Sequence, residues 1–179
     1  MFTKEELLNW YDEDYCLKAV KIDGSTLQYV KNQTEEMCII AVNQSKFALP
    51  YVKKQTEKIC LVAIRRNSFT IQYTTIQTDE MCLTAVTKIG MLLRYVIKQT
   101  DEICLAAVTQ HGEAIQYVKN QTEEICLAAV KQYGDSIRYV LNPTAKLYRI
   151  SLIKEPSNIR YIDIQKYPEL YEKYTFMIK

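Results

Sequence analysis

The sequence contains few of the residues that interrupt regular structure, with four glycines and four prolines among 179 residues. Because apolar residues make up 48% of the chain, this composition excludes disordered, collagen-like and linker-dominated proteins. No apolar run reaches the roughly eighteen residues of a membrane span. The opening MFTKEELLNW has no basic segment followed by an apolar one, so we expect no secretory signal. The 23 basic and 21 acidic residues nearly cancel, so the strong positive field of nonspecific nucleic-acid binders is missing.

The sequence repeats itself every 22 residues. The six cysteines fall at this spacing: Cys16, Cys38, Cys60, Cys82, Cys104 and Cys126. An alanine follows each cysteine by three residues, and all four glycines share one further repeat position. A tyrosine column, here called the tyrosine ladder, keeps the same step: Tyr29, Tyr51, Tyr73, Tyr95, Tyr117 and Tyr139, with Tyr161 in line. Columns in register at a fixed period are the signature of a repeat protein.

Each repeat predicts a pair of helices. A Thr or Asp precedes an acidic first turn, as is typical of a helix N-terminus, because its oxygen caps free amides and the acids complement the helix dipole. We expect the glycine position to end this helix in a left-handed conformation, with a shorter second helix after it. Short leucine-rich repeats share the period, but their L-x-x-L-x-L framework is missing here. The sequence predicts an all-α fold, an α-solenoid of stacked 22-residue helix-turn-helix repeats.

We expect one domain with capping helices at both ends of the repeats. The expected parts are an N-terminal cap over residues 1–11, six repeats over 12–143, a degenerate seventh repeat over 144–165 and a C-terminal capping helix over 166–179. A capping box of Thr3 and Glu6 supports the first cap, and Pro168 suits the first turn of the last helix. Pro50 falls inside a short second helix, where its missing amide should distort that copy.

The chemistry of the cysteines and the histidine points to a structural role. Packed helices lie about 8–10 Å apart, whereas a disulfide needs Cα atoms within about 7 Å and zinc needs several sulfurs around one ion. Six unpaired thiols indicate a reducing compartment, so we expect a cytoplasmic protein that is not secreted. His111 is the only histidine and has no evident partner for metal binding or base catalysis. We therefore expect no catalytic, cofactor-binding or metal-binding residues, and a protein that is not an enzyme.

One repeat position that varies between the copies suggests a ligand surface, and a second position that is tyrosine in every copy suggests another. Consecutive copies carry Phe47, Phe69 and Met91 at the start of the second helix, with Ile89 adjacent, where the other copies are polar. If exposed, these residues form an apolar ridge for a partner, and if the turn folds inward they belong to the core. The tyrosine ladder lies beside Gln and Arg residues, as in modules that read one RNA base per helical repeat. Each ring could instead pack against the next repeat with its hydroxyl at the rim.

The segments YVKNQTEEMCIIAV, YVIKQTDEICLAAV and YVKNQTEEICLAAVKQYG closely resemble a short repeat known as domain of unknown function 4116, over about residues 12–165. That family is abundant in giant DNA viruses of amoebae, so the resemblance implies a viral protein of the host cytoplasm or the virion. Tyr148 and Pro156 depart from the repeat pattern in the seventh copy. The resemblance implies no activity, cofactor or catalytic residue.

Three hypotheses for the function remain. We favour a noncatalytic scaffold that binds a protein or peptide through Phe47, Phe69, Met91 and Ile89, with no membrane partner. The first alternative is a nucleic-acid-binding repeat protein that uses the tyrosine ladder. The second is a structural component that self-associates, which predicts oligomers whose size depends on concentration.

Overall fold

Residues 9–175 are described by the computed structural model, and every regular element in this range is a helix. Eight complete α-helices alternate with seven short 3₁₀ helices. The α-helices are α1 (Glu13–Ile22), α2 (Glu35–Gln44), α3 (Glu57–Arg66), α4 (Asp79–Val86), α5 (Asp101–Gln110), α6 (Glu123–Gln132), α7 (Ala145–Lys154) and α8 (Pro168–Thr175). The 3₁₀ helices are Gly24–Gln28, Leu49–Tyr51, Ser68–Tyr73, Gly90–Tyr95, Gly112–Tyr117, Gly134–Tyr139 and Pro156–Tyr161. The predicted all-α helical repeat is confirmed.

The chain divides into two compact units, Met1–Ala85 and Val86–Lys179. In the first unit α1, α2 and α3 stack in sequence order, and their 3₁₀ helices stack beside them. In the second unit α5, α6 and α7 stack in the same way, and α8 packs against α7. Each unit therefore has a layer of α-helices facing a layer of 3₁₀ helices. None of the described helices is long and apolar enough to cross a bilayer.

The predicted caps form at the start of the α-helices. In α5 the Thr100 hydroxyl accepts a hydrogen bond from the Ile103 amide at 3.3 Å. The same contact is made by Asp12, Thr34, Thr56, Thr78, Thr122 and Thr144. Each oxygen satisfies one of the amides that the first helical turn leaves without a partner. This part of the fold is local, because the cap lies three residues from its partner.

The glycines serve a purpose that the sequence analysis did not predict. None of them has a positive φ angle, so the expected left-handed helix ends are wrong. Their role is close approach, since a Cβ on Gly24 would lie 2.5 Å from the Ala41 carbonyl oxygen of the next repeat. At Gly112 the amide donates to Gln132 Oε1 at 2.7 Å, also one repeat further on. The glycine position therefore lets consecutive repeats touch through backbone.

Proline alters the 3₁₀ helix of one copy and leaves that of another intact. The helix that contains Pro50 has three residues, Leu49–Tyr51, whereas five of the other six copies have six, which confirms the predicted distortion. Pro156 stands first in its 3₁₀ helix, where no amide is required, and that helix keeps six residues. The seventh copy, which the sequence marked as degenerate, therefore contains both helices of a repeat.

A column of glutamines joins consecutive repeats. Gln121 Nε2 donates to the Ile115 carbonyl at 3.3 Å and to the Tyr139 carbonyl of the next repeat at 2.9 Å. Its Oε1 accepts from the Leu141 amide at 2.9 Å. Matching bonds to the next repeat are made by Gln33, Gln55 and Gln99. The sequence analysis missed this role, although five identical residues mark the column: Gln33, Gln55, Gln77, Gln99 and Gln121.

The six cysteines are buried, as predicted for the column, and each has a free thiol in the structure. In α5 the Cys104 thiol contacts Gln99 Oε1 at 3.6 Å, next to the glutamine column. Burial raises the pKa of Cys60 and Cys82 to about 11, which keeps both thiols protonated at neutral pH. Protonated, buried thiols are poor nucleophiles, so the column is a packing feature.

Aromatic residues lie at both ends of the described chain. Trp10 is buried and its ring centroid lies 5.2 Å from that of Tyr29. Tyr148, which replaces cysteine in the seventh copy, is buried with its ring centroid 5.6 Å from that of Tyr167. The last helix begins at Pro168, as predicted. The expected capping box of Thr3 and Glu6 lies outside the described residues.

Candidate functional site

An open groove lies on the first unit where the 3₁₀ helices of two consecutive repeats meet. One part has a volume of about 460 Å³ and runs between the end of α2 and the end of α3. A second part of about 180 Å³ adjoins it and shares three lining residues with it. We call the whole the aromatic groove, after the side chains that characterise it: Lys46, Phe47, Arg66, Asn67, Phe69 and Tyr73.

The aromatic groove exposes two phenylalanines that would ordinarily be buried. Phe47 is 60% exposed and Phe69 is 44% exposed. They occupy the same repeat position in consecutive copies, at or near the start of the 3₁₀ helix, so the repeat itself places them side by side along one unit. Neighbouring exposed apolar side chains of this size are characteristic of interaction sites.

Short polar side chains orient the turns that carry these phenylalanines. The Phe47 amide donates to the Ser45 hydroxyl at 3.3 Å, and the Phe69 amide donates to Asn67 Oδ1 at 3.2 Å. In the second unit the residues at the corresponding positions, which include Ile89 and His111, form no such cap. This side-chain bond is therefore present in the two copies that carry the phenylalanines.

The charge around Phe47 is positive. Lys46 Nζ lies 5.0 Å from the centroid of the Phe47 ring, a cation–π distance. Arg66 Nε donates to the Asn43 carbonyl at 3.2 Å, which anchors the guanidinium at the groove. Among the described residues that line the aromatic groove, none is acidic.

A groove with acidic side chains in its lining occurs on the second unit. A groove of about 290 Å³ is lined by the residues that lie four repeats after those of the larger part of the aromatic groove. We call it the acidic groove, and its lining is Gln132, Tyr133, Gly134, Asp135, Lys154 and Glu155. Asp135 stands where the first unit has Phe47. The backbone of the repeat therefore builds the groove, and the side chains of each copy decide its chemistry.

The other residues of the predicted apolar ridge lie in the second unit. Met91 and Ile89 are both half-buried, in contrast to Phe47 and Phe69. In the next two copies the ridge position is acidic and is paired with arginine. Glu113 accepts from Arg138 at 2.5 Å, and Asp135 lies 3.8 Å from Arg160.

The tyrosine ladder is partly covered. Tyr29, Tyr51 and Tyr73 are 37–42% exposed, whereas Tyr95, Tyr117, Tyr139 and Tyr161 are half-buried. Arginines lie over three of the rings in the second unit: Arg94 over Tyr95 at 4.6 Å, Arg138 over Tyr139 at 4.6 Å and Arg160 over Tyr161 at 4.8 Å. A guanidinium over the ring occupies the face that a nucleobase would need for stacking.

The single histidine of the chain lies next to a carboxylate that is already paired. His111 Nε2 lies 3.5 Å from a carboxylate oxygen of Glu113, whose other oxygen already binds Arg138. Within residues 9–175, no group of three or more His, Cys, Asp or Glu side chains is placed to hold a metal ion.

The model of the family described as Domain of unknown function (DUF4116) matches residues 12–56 and 102–142. Over these two segments the chain is similar to DUF4116. No curated protein and no solved structure matches it. The first DUF4116 match includes Lys46 and Phe47, and the second includes Asp135 of the acidic groove. Both grooves thus involve copies that the family model recognises, with different residues at the equivalent positions.

Proposed function

We propose that this repeat protein is a noncatalytic scaffold that binds a protein or peptide segment at the aromatic groove. The observation that carries the proposal is the exposure of Phe47 and Phe69 side by side in a groove of the first unit. Burying a phenylalanine that is now in water contributes roughly 1.5–3 kcal/mol, in proportion to the area covered. Two such anchors in one concave surface provide the centre of a small interface.

The proposed setting is a reducing intracellular compartment. Six buried thiols outside any disulfide support it, because such thiols persist in reducing surroundings. The expectation of a viral protein acting in the host cytoplasm or the virion belongs to the same proposal and rests on the resemblance alone.

Selection from a displayed peptide library tests the proposal. We expect peptides enriched on the wild-type protein to bind the double variant Phe47→Ser and Phe69→Ser at least about tenfold more weakly, which equals ~1.4 kcal/mol. The matched control is Ile97→Ser with Leu141→Ser, because these side chains are 67% and 72% exposed but lie outside the aromatic groove. Peptides that bind the double variant as tightly as wild type, or no enrichment at all, would contradict the proposal.

Nucleic-acid binding is the second candidate, and the exposed rings of the tyrosine ladder in the first unit favour it, because Tyr51 and Tyr73 are 40% and 42% exposed. Exposed aromatic rings at one step per repeat resemble the surfaces on which single strands stack their bases. Against it, Arg138 is paired with Glu113 and its neighbour Arg160 lies near Asp135, which reduces the positive charge available to phosphate. Retention of an oligonucleotide that weakens steeply with salt would promote this candidate, and no binding at low salt would eliminate it.

A further inference from the structure

We propose that the aromatic groove recognises a peptide segment in which an apolar side chain is flanked by aspartate or glutamate residues. This inference rests on the proposed function and specifies its partner. The apolar side chain would pack between Phe47 and Phe69, and the flanking carboxylates would meet Lys46 and Arg66.

Lys46 and Arg66 at the groove have N–H donors that are available to a ligand. Lys46 is exposed, and its ammonium group lies beside the Phe47 ring rather than against a carboxylate. Arg66 uses Nε for the Asn43 carbonyl, and among the described residues its two terminal nitrogens make no further hydrogen bond or ion pair. A guanidinium anchored in this way presents two parallel donors, which is the arrangement that binds a carboxylate in a bidentate manner.

The two cations lie where they can contact the residues that flank an apolar side chain of a bound peptide. Because Lys46 Nζ lies 5.0 Å from the centre of the Phe47 ring, a side chain on that ring brings its own flanking residues within reach of the ammonium group. Arg66 lines the other side of the same groove. Basic flanking residues would meet two positive charges with no acidic lining residue to offset them, so the groove selects against them.

The acidic groove of the second unit shows that this charge is a property of the copy and not of the fold. It has Asp135 in place of Phe47 and Glu155 in place of Asn67, at equivalent backbone positions. Lys154 is the residue equivalent to Arg66. The acidic groove should therefore not bind an acidic segment, and Lys154 provides a control for the loss of one surface cation.

Three synthetic peptides of equal length test the inference by fluorescence anisotropy. Each has a central phenylalanine, flanked by Asp and Glu, by Asn and Gln, or by Lys and Arg. We expect the acidic peptide to bind about tenfold more tightly than the neutral one at low salt and the basic peptide to bind most weakly. The difference should shrink as the salt concentration rises, because the exposed cations are screened.

Charge-removing variants locate the effect. Arg66→Gln and Lys46→Gln should each weaken binding of the acidic peptide by about two- to fivefold and leave the neutral peptide unchanged. Lys154→Gln removes the same charge from the protein and should change neither peptide. Equal weakening by Lys154→Gln would attribute the effect to net charge and would overturn the inference.

The outcomes separate this inference from the proposed function. If all three peptides bind with equal affinity and Phe47→Ser abolishes that binding, the charge preference is wrong and the scaffold function stands. If no peptide binding depends on Phe47, the proposed function fails. If an oligouridylate competes with the acidic peptide and depends on Arg66 and Phe47 in the same way, the groove binds nucleic acid and the inference is overturned.

Discussion

The glutamine column offers the sharpest test of how consecutive repeats are held together, and Gln121→Leu is the variant to make. Leucine has nearly the same volume, so the change removes hydrogen bonds without opening a cavity. The Ile115 carbonyl keeps a partner, because it also accepts from the Val118 amide at 3.0 Å. The Tyr139 carbonyl and the Leu141 amide lose the bonds of 2.9 Å that Gln121 provides.

The expected loss of stability follows from those two bonds. Each bond contributes about 0.5–1.5 kcal/mol net, so the loss of both costs about 1–3 kcal/mol. Because Leu141 is exposed, water can bind its amide in the variant, and no further penalty for an unpaired group is added. For a chain of this length each 1 kcal/mol lowers the melting temperature by about 2–4 °C. Circular dichroism during thermal and urea unfolding measures the effect. Hydrogen exchange at the Leu141 amide reports the bond itself, and exchange should become faster in the variant.

Two further variants make the test specific. Gln116→Leu is the matched control, because Gln116 is exposed and its side chain donates to the Glu113 carbonyl of its own 3₁₀ helix, not to the next repeat. It should change stability by no more than about 0.5 kcal/mol. Gln121→Glu keeps an acceptor for the Leu141 amide but places a carboxylate against the Tyr139 carbonyl. If the Leu141 amide exchanges as slowly in Gln121→Leu as in wild type, the assignment of the column is refuted.

Two other predictions concern the glycine position and the cysteine column. In Gly112→Ala the new Cβ would lie 2.6 Å from the Ala129 carbonyl oxygen, so we expect the free energy of unfolding in urea to fall by about 1–3 kcal/mol. The control is Ser68→Ala, because this repeat position already carries a Cβ there, and its free energy of unfolding should stay within about 0.5 kcal/mol of wild type. A similar loss in both would contradict the role of close approach. Burial raises the pKa of Cys60 and Cys82 from 9.0 to about 11. Between these two pH values the folded chain keeps protons that the unfolded chain releases. The contribution of the two thiols to the free energy of unfolding is therefore fully present below about pH 9 and is lost as the pH rises towards 11. A Cys60→Ala and Cys82→Ala double variant should show a flatter decline over that range, and an unchanged slope would count against the burial argument.

Much of the fold could be predicted because its signals lie close together in the sequence. The caps at Thr34 and Thr100 reach residues only three positions away, and the acidic first turns act on their own helix. The distortion at Pro50 is equally local, since it depends on the missing amide of one residue. Burial of the cysteines followed from helical geometry within a single repeat.

The candidate site could be predicted only in part. The contrast of Phe47 and Phe69 with polar residues in other copies marked the position, but not the direction in which the side chains point. Both phenylalanines are exposed, whereas Met91 at the same repeat position is half-buried. The cations at the groove were not predicted, because Arg66 belongs to the repeat after Phe47 and reaches the groove only when the two repeats pack.

The period, the helix pairs and their caps can be predicted from the amino-acid sequence, because they depend on interactions within one repeat and recur in every copy. The roles of the glycines and glutamines, and the set of side chains that share a groove, become evident only once the repeats are packed. Those features join residues some 18 to 22 positions apart, as in the bonds of Gln121 to Tyr139 and of Gly112 to Gln132. Such contacts depend on the register between consecutive repeats, which packing of the two helical layers sets and local preference does not.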